Sequence, residues 1–184
     1  MPVAETHRLI LRRLELADAE FIFKLVNDPT WLAGIGDRGV RTLADAQEYL
    51  RKGPLEMYQR YGFGLYAIER KVDQQLIGLC GLLQRETLPE PDLGYALLPQ
   101  YAGVGYALEA ARACVKMARE QFGMTRLLAI TSPENIRSRH LLEQLGMQLE
   151  QRYRVKPEDD ELCQYAMALT SAPPCARTLN GRLG

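Results

Sequence analysis

Two short stretches carry residue types whose spacing suits them to chemistry. The first is PQYAGVGYALEAARA, residues 99–113, where Gly103 and Gly105 stand directly before a run of small helix formers. Glycines at a helix start leave the main chain bare, and the unpaired N–H groups and dipole of the first turn attract a phosphate. A strand-to-helix turn of sharp geometry would use the same residues, so both readings stay open on the glycines alone. A dinucleotide-binding turn does not fit. That turn needs G-x-G-x-x-G or A after the first strand and an acidic residue some twenty positions on. Here the third position is Leu108, several strands precede the loop, and RLLAIT, residues 126–131, ends without a carboxylate. The second stretch is Asn135-Ile136-Arg137-Ser138, which follows Ser132-Pro133 and reads as a capped helix start closed by Gly146.

Other reactive side chains point to less. Cys80, Cys114, Cys163 and Cys175 form no C-x-x-C pair, and His7 and His140 stand apart from any carboxylate pair. No metal site is expected. Cys80 lies in the apolar run LIGLCGLL and reads as an inert core thiol rather than a carrier nucleophile. The carboxylates Glu86, Glu90 and Asp92 open onto the strand DLGYALL and could take up a proton.

These groups must be held by a mixed sheet. HRLILRRL, residues 7–14, alternates charged and apolar residues as a half-buried strand, with Leu9 and Leu11 on one face. Phe21, Ile22, Leu25 and Val26 mark a helical stripe from Asp18 that ends at Asn27-Asp28-Pro29. The segment 29–41, with Trp31 and three glycines, reads as a loop, either a mobile wall for a site or a plain surface connection. Thr42 caps a second helix, with a break at Gly53-Pro54. FGLYAIER and LIGLCGLL form a hairpin, and DLGYALL, residues 92–98, is the next strand, closed by Pro99. A helix from about Val104 to Phe122 presents Ala107, Ala110, Ala111, Cys114, Val115 and Ala118 along one side, small enough for close approach to a sheet. RLLAIT, a helix from Asn135 to Leu145, and strands near 147–155 and 162–169 complete the order βααβββαβαββ. This is an α/β (α+β) arrangement of one domain over residues 1–170, with a peripheral tail at 171–184.

Gln100-Tyr101-Ala102-Gly103-Val104-Gly105 resembles the Q/R-x-x-G-x-G/A acyl-CoA motif of the GCN5-related N-acetyltransferases (GNAT), found at the start of the helix after the fourth strand. Asn135-x-x-Ser138 with Gly146-Met147 resembles the family's second signature, with Met in place of Phe. DLGYALLPQY and GYALEA look like the RimJ/RimL branch, and the resemblance spans roughly residues 6–169. It implies a mixed, mostly antiparallel sheet of about six or seven strands with helices on both faces. It also implies acetyl-CoA between strands 92–98 and 126–131, its pantetheine on Ala96, Leu97 and Leu98. The pyrophosphate would lie on the amides of Val104, Gly105, Tyr106 and Ala107, with Gln100, Gly103, Asn135, Ser138 and Leu142 around the donor. Many relatives carry a tyrosine seven residues after the Asn as acid for the thiolate; here Leu142 stands there, leaving Ser138 as the nearest candidate or a water with no dedicated acid at all.

The implied activity is direct acetyl transfer from acetyl-CoA to a primary amine on a protein, peptide or small molecule. Asp92 is the first choice of base and Glu86 the second. The acceptor groove is expected between the Trp31–Arg41 loop, with Trp31, Ile35 and Gly36, the 86–92 loop and the 153–162 hairpin. An acyl-CoA binding or sensing module without catalysis is the alternative, motivated by Leu142. Lys plus Arg and Asp plus Glu both total 23, with no basic cluster, which gives no sign of a nucleic-acid or membrane partner. No apolar run reaches the length of a membrane span, and MPVAETHRLILRR lacks a signal peptide's apolar core. The expected setting is cytoplasmic, as monomer or homodimer.

Overall fold

The computed structural model describes residues 1–169; the tail assigned to 171–184, with Cys175, lies outside the described residues. One mixed sheet runs through them, with strands β1 (Pro2–Glu5), β2 (Leu9–Arg13), β3 (Leu65–Arg70), β4 (Gln75–Leu83), β5 (Asp92–Leu97), β6 (Arg126–Thr131), β7 (Gln148–Tyr153) and β8 (Leu162–Ala168). Among the described residues the sheet has eight strands in the order β1-β2-β3-β4-β5-β6-β8-β7, more than the six or seven expected. The added strand is β1. Its PVAE holds too few apolar residues to show alternation, and it is fixed by pairing with β2 and by Lys71, whose Nζ donates to Thr6 O (2.8 Å). Neighbours pair antiparallel except β5 and β6, which run parallel.

Helices cover both faces. On one side lie α1 (Ala19–Val26), α2 (Pro29–Gly34) and α3 (Leu43–Leu50), packed on Leu14, Ala67 and Leu79. The α1 stripe buries Ile22, Leu25 and Val26 as its periodicity requires. Residues 29–34 are helix rather than loop. Asp28 Oδ1 accepts from Thr30 N (2.8 Å), and Pro29 takes the first helical position, where a missing N–H costs nothing. Asn27-Asp28-Pro29 therefore starts a helix as well as ending one. The break expected at Gly53-Pro54 is also absent. A wide helical turn, Arg51–Leu55, absorbs Pro54 and continues into α4 (Glu56–Tyr61).

On the other face α5 (Tyr106–Glu120) crosses the sheet through Ala110, Ala111, Cys114 and Ala118, all fully buried, and α6 (Ile136–Gln144) adds Leu142. Small residues on α5 bring its backbone close to the sheet, which holds the start of the helix rigidly over the end of β5.

Candidate acyl-transfer site

The parallel strands β5 and β6 touch through one residue pair, Asp92 with Leu128, with Leu128 N donating to Pro91 O (3.0 Å). Beyond it they part. Leu98 donates its N–H to Ile77 O (2.9 Å). Since peptide groups alternate between the two sides of a strand, those of Ala96 and Leu98 face β4, and those of Tyr95 and Leu97 face the gap. Of the three positions expected along the donor, Leu97 is thus the one whose main chain is open, and Tyr95 joins it.

At the far end of the gap, Pro99–Tyr101 forms one tight turn and the glycine loop follows. Gly103 (φ +83°) and Gly105 (φ +88°) are both left-handed, a conformation that side chains resist, and nothing lies within 4 Å of a Cβ built on Gly103. Gly105 caps α5, which begins at Tyr106 rather than Val104, and no side chain satisfies its first-turn N–H groups. Gln100 and Gly103–Gly105 are exposed, while Tyr106 and Ala107 are half-buried. A residue far away in sequence steadies this loop. Arg8 donates to Val104 O (3.0 Å), pairs with Glu109 (2.7 Å), and lies 4.5 Å from the Tyr106 ring centroid. The bare, uncapped helix start with a guanidinium alongside fits a diphosphate.

Asp92 is fully buried at the fork, where Arg85 Nε donates to both its oxygens (3.0 and 3.1 Å). Burial outweighs the guanidinium, and the carboxyl is pushed up to about 6. Glu86 is exposed, and Glu90 pairs instead with Arg126 on β6. Burial also raises Tyr49 of α3, against Arg38 and Arg85, and Tyr153 of β7, with Arg85 and Asp92 close enough to act on it. Arg85 is thus the charge that acts on Tyr49, Asp92 and Tyr153 alike beside the fork.

The first side of the expected groove differs. Trp31 is 5% exposed and packs with α1 and α3 as a core residue, its indole N–H without a partner among the described residues. It is not an open wall. Ile35 and Gly36 follow α2 near the surface, Ile35 at 40% exposure. Of the glycines that suggested a loop, Gly34 ends this helix, while Gly36 and Gly39 stand in the loop that follows it.

On the opposite face of β5, Asn135 Oδ1 accepts from Ser138 N (3.0 Å), so Asn135 is the N-cap of α6. Ser138 Oγ lies 2.6 Å from the Tyr95 hydroxyl. Burial pushes the Tyr95 phenol up to about 12, with Ser138 opposing and Cys80 adding to the rise. Leu142 is buried, and the place where relatives carry a tyrosine is filled by core. Tyr95, Arg85 and Arg8 escaped sequence reasoning; only Tyr95, inside DLGYALL, stood in a motif already singled out. Cys80 is buried 3.5 Å from Cys114. Among the described residues no His, Cys, Asp and Glu group gathers as a metal site, and no helix is long and apolar enough to cross a membrane.

A sheet opened between two parallel neighbours, with an uncapped glycine-led helix at its mouth, defines an acyl-CoA-type transferase fold. The acetyltransferase (GNAT) domain model matches residues 8–148, and the chain belongs to that family. It is 32% identical to the uncharacterised Bacillus subtilis protein YkkB over 77% of this chain and 83% of that one. It is 28% identical to the uncharacterised N-acetyltransferase YoaA of the same organism over 81% and 84%. Its fold matches the ribosomal L7/L12 α-N-protein acetyltransferase RimL in complex with coenzyme A, with a TM-score of 0.78 at 16% identity, covering 92% of this chain and 98% of RimL. At that identity the likeness to RimL is one of fold.

Proposed function

We propose that this protein transfers the acetyl group of acetyl-CoA directly to a primary amine. The observation that carries the reading is the fork itself: β5 offers open peptide groups at Tyr95 and Leu97, and it leads into the left-handed glycine pair and uncapped start of α5. Gly103, Val104, Gly105, Tyr106 and Ala107 would receive the diphosphate, with Gln100, Asn135 and Leu142 bordering the donor. The thioester supplies an activated acyl carbon; the C–S bond breaks, a C–N bond forms, and one proton leaves nitrogen.

Asp92 is the base in this reading. A carboxyl near 6 is ionised at neutral pH yet basic enough to accept a proton from an amine on attack. A lysine amine, near 10.4, needs that help more than a chain N-terminus near 7.7–8.0. Three residues of strand separate Asp92 from Tyr95, roughly 10 Å, so the proton reaches the carboxylate through water. Ser138 faces the departing sulfur. Glu86, exposed and outside the fork, is the weaker base.

The acceptor enters from the side of Tyr49, Arg85 and Tyr153, past Ile35 and Gly36, and is a protein N-terminus, a peptide or a small amine. The protein works without a metal, as a monomer or homodimer in the cytoplasm. Thermal unfolding with acetyl-CoA, coenzyme A and NAD tests the donor assignment. At one hundred times the dissociation constant, native-state binding adds about 2.7 kcal/mol, or several degrees. Shifts with both CoA species and none with NAD are expected; no shift with either CoA species would remove the basis for the reading.

A further inference from the structure

Ser138 stands in the first turn of α6 with its amide already used by Asn135, and its hydroxyl has Tyr95 as its one partner among the described residues. Two hydrogen arrangements are conceivable for that 2.6 Å contact. If Ser138 donated, the Tyr95 hydrogen would be left with the Ser138 carbonyl at 3.4 Å, too long for a good O–H···O bond. If Tyr95 donates to Oγ, its own hydrogen is satisfied and the serine hydrogen is free to turn away from the phenol. Each arrangement gives one of the two donors a good partner within the protein, and only the second leaves the serine hydrogen for an acceptor in the gap. Tyr95 lies where β5 has left β6, and Ser138 is half-buried, so the freed hydrogen can reach the gap.

We infer that Tyr95 is a positioning residue for acyl transfer: its hydroxyl donates to Ser138 Oγ and thereby aims the Ser138 hydrogen at the sulfur of the departing coenzyme. This rests on the acetyl-transfer reading above. It explains how a chain with Leu142 in the usual tyrosine's place keeps a hydrogen bond for the developing thiolate. The phenol comes from the strand instead of the helix and acts one atom removed. Neither hydroxyl need give up its proton. With the phenol near 12 against a thiol near 8.5, proton transfer from Tyr95 would run uphill, whereas a directed hydrogen bond would not.

The test titrates the thiol of coenzyme A bound to the wild type, Tyr95→Phe, Ser138→Ala and the double variant, reading thiolate by its ultraviolet absorbance, with calorimetry to establish binding in each. A charge-assisted hydrogen bond lowers the bound thiol, so Ser138→Ala should raise its pKa by about one pH unit. Tyr95→Phe should raise it part of that way, and the double variant should match Ser138→Ala, because Tyr95 acts only through Ser138. Tyr95→Phe should also lower kcat roughly 3- to 10-fold with KM for acetyl-CoA unchanged. A Tyr95→Phe titration identical to wild type, or an equal shift in the Ser138→Ala background, overturns the inference alone. Failure of coenzyme A to bind the wild type overturns the acetyl-transfer reading and this inference with it.

Discussion

Replacing Asp92 by Asn should make the protein more stable at neutral pH while disabling it. Asp92 is buried, and its carboxyl is raised from 3.8 to about 6, chiefly by desolvation. A folded-state value above the unfolded one means that the fold prefers the protonated acid. Its contribution is most favourable below the unfolded value and is lost as pH rises from about 4 through 6. Two pH units correspond to roughly 3 kcal/mol of cost at pH 7. The attraction of Arg85 is already contained in that shift; Asn removes the cost and keeps one oxygen for Arg85, but its buried amide N–H group is left without an acceptor, which costs about 1–2 kcal/mol. The net gain is about 1–2 kcal/mol, or roughly 3–6 °C in Tm for a chain of this size. The assay is thermal unfolding of both proteins from pH 4 to 8. The difference should be smallest near pH 4, grow to pH 6 and stay flat above. Turnover should fall about 10²-fold, and the wild-type acid limb near pH 6 should vanish. A variant less stable than wild type at every pH by a constant amount would refute the reasoning, making Asp92 a structural ion-pair partner.

Two further changes probe the rest of the site. Gly105→Val places a branched side chain at φ +88°, with its Cβ 3.3 Å from Arg8 Nη2; acetyl-CoA affinity should fall at least 10-fold in calorimetry, with about 1–2 kcal/mol of lost stability. Leu142→Tyr should not restore an acid, because the position is 1% exposed; overpacking should cost about 1–3 kcal/mol in denaturant unfolding, with no gain in kcat.

What could be read from the sequence was what neighbours in the chain determine. The Gly103-Val104-Gly105 turn, the Asn135 cap and the alternation of Leu9 and Leu11 are local patterns, and each stands in the fold as its pattern requires. Asp92 was visible as a carboxylate opening a strand, but its burial arises only when β5 is flanked by β4 and β6 in the assembled sheet. The partners that make the site were hidden for the same reason. Arg8 lies 96 positions from Val104, and Tyr95 lies 43 from Ser138. Trp31 misled because glycines after it read as a loop, whereas Asp28 and Pro29 start a helix that turns the indole inward.

The measurement closest to the central claim is acetyl transfer itself. The protein is incubated with acetyl-CoA and a panel of peptides with free N-termini, N-blocked lysine peptides and small amines, following thiol release and acceptor mass together. At least one amine should gain one acetyl group for each coenzyme A released, faster as pH rises through 6. Tight coenzyme binding with no amine-dependent thiol release from any class would contradict the account and leave an acyl-CoA sensing module in its place.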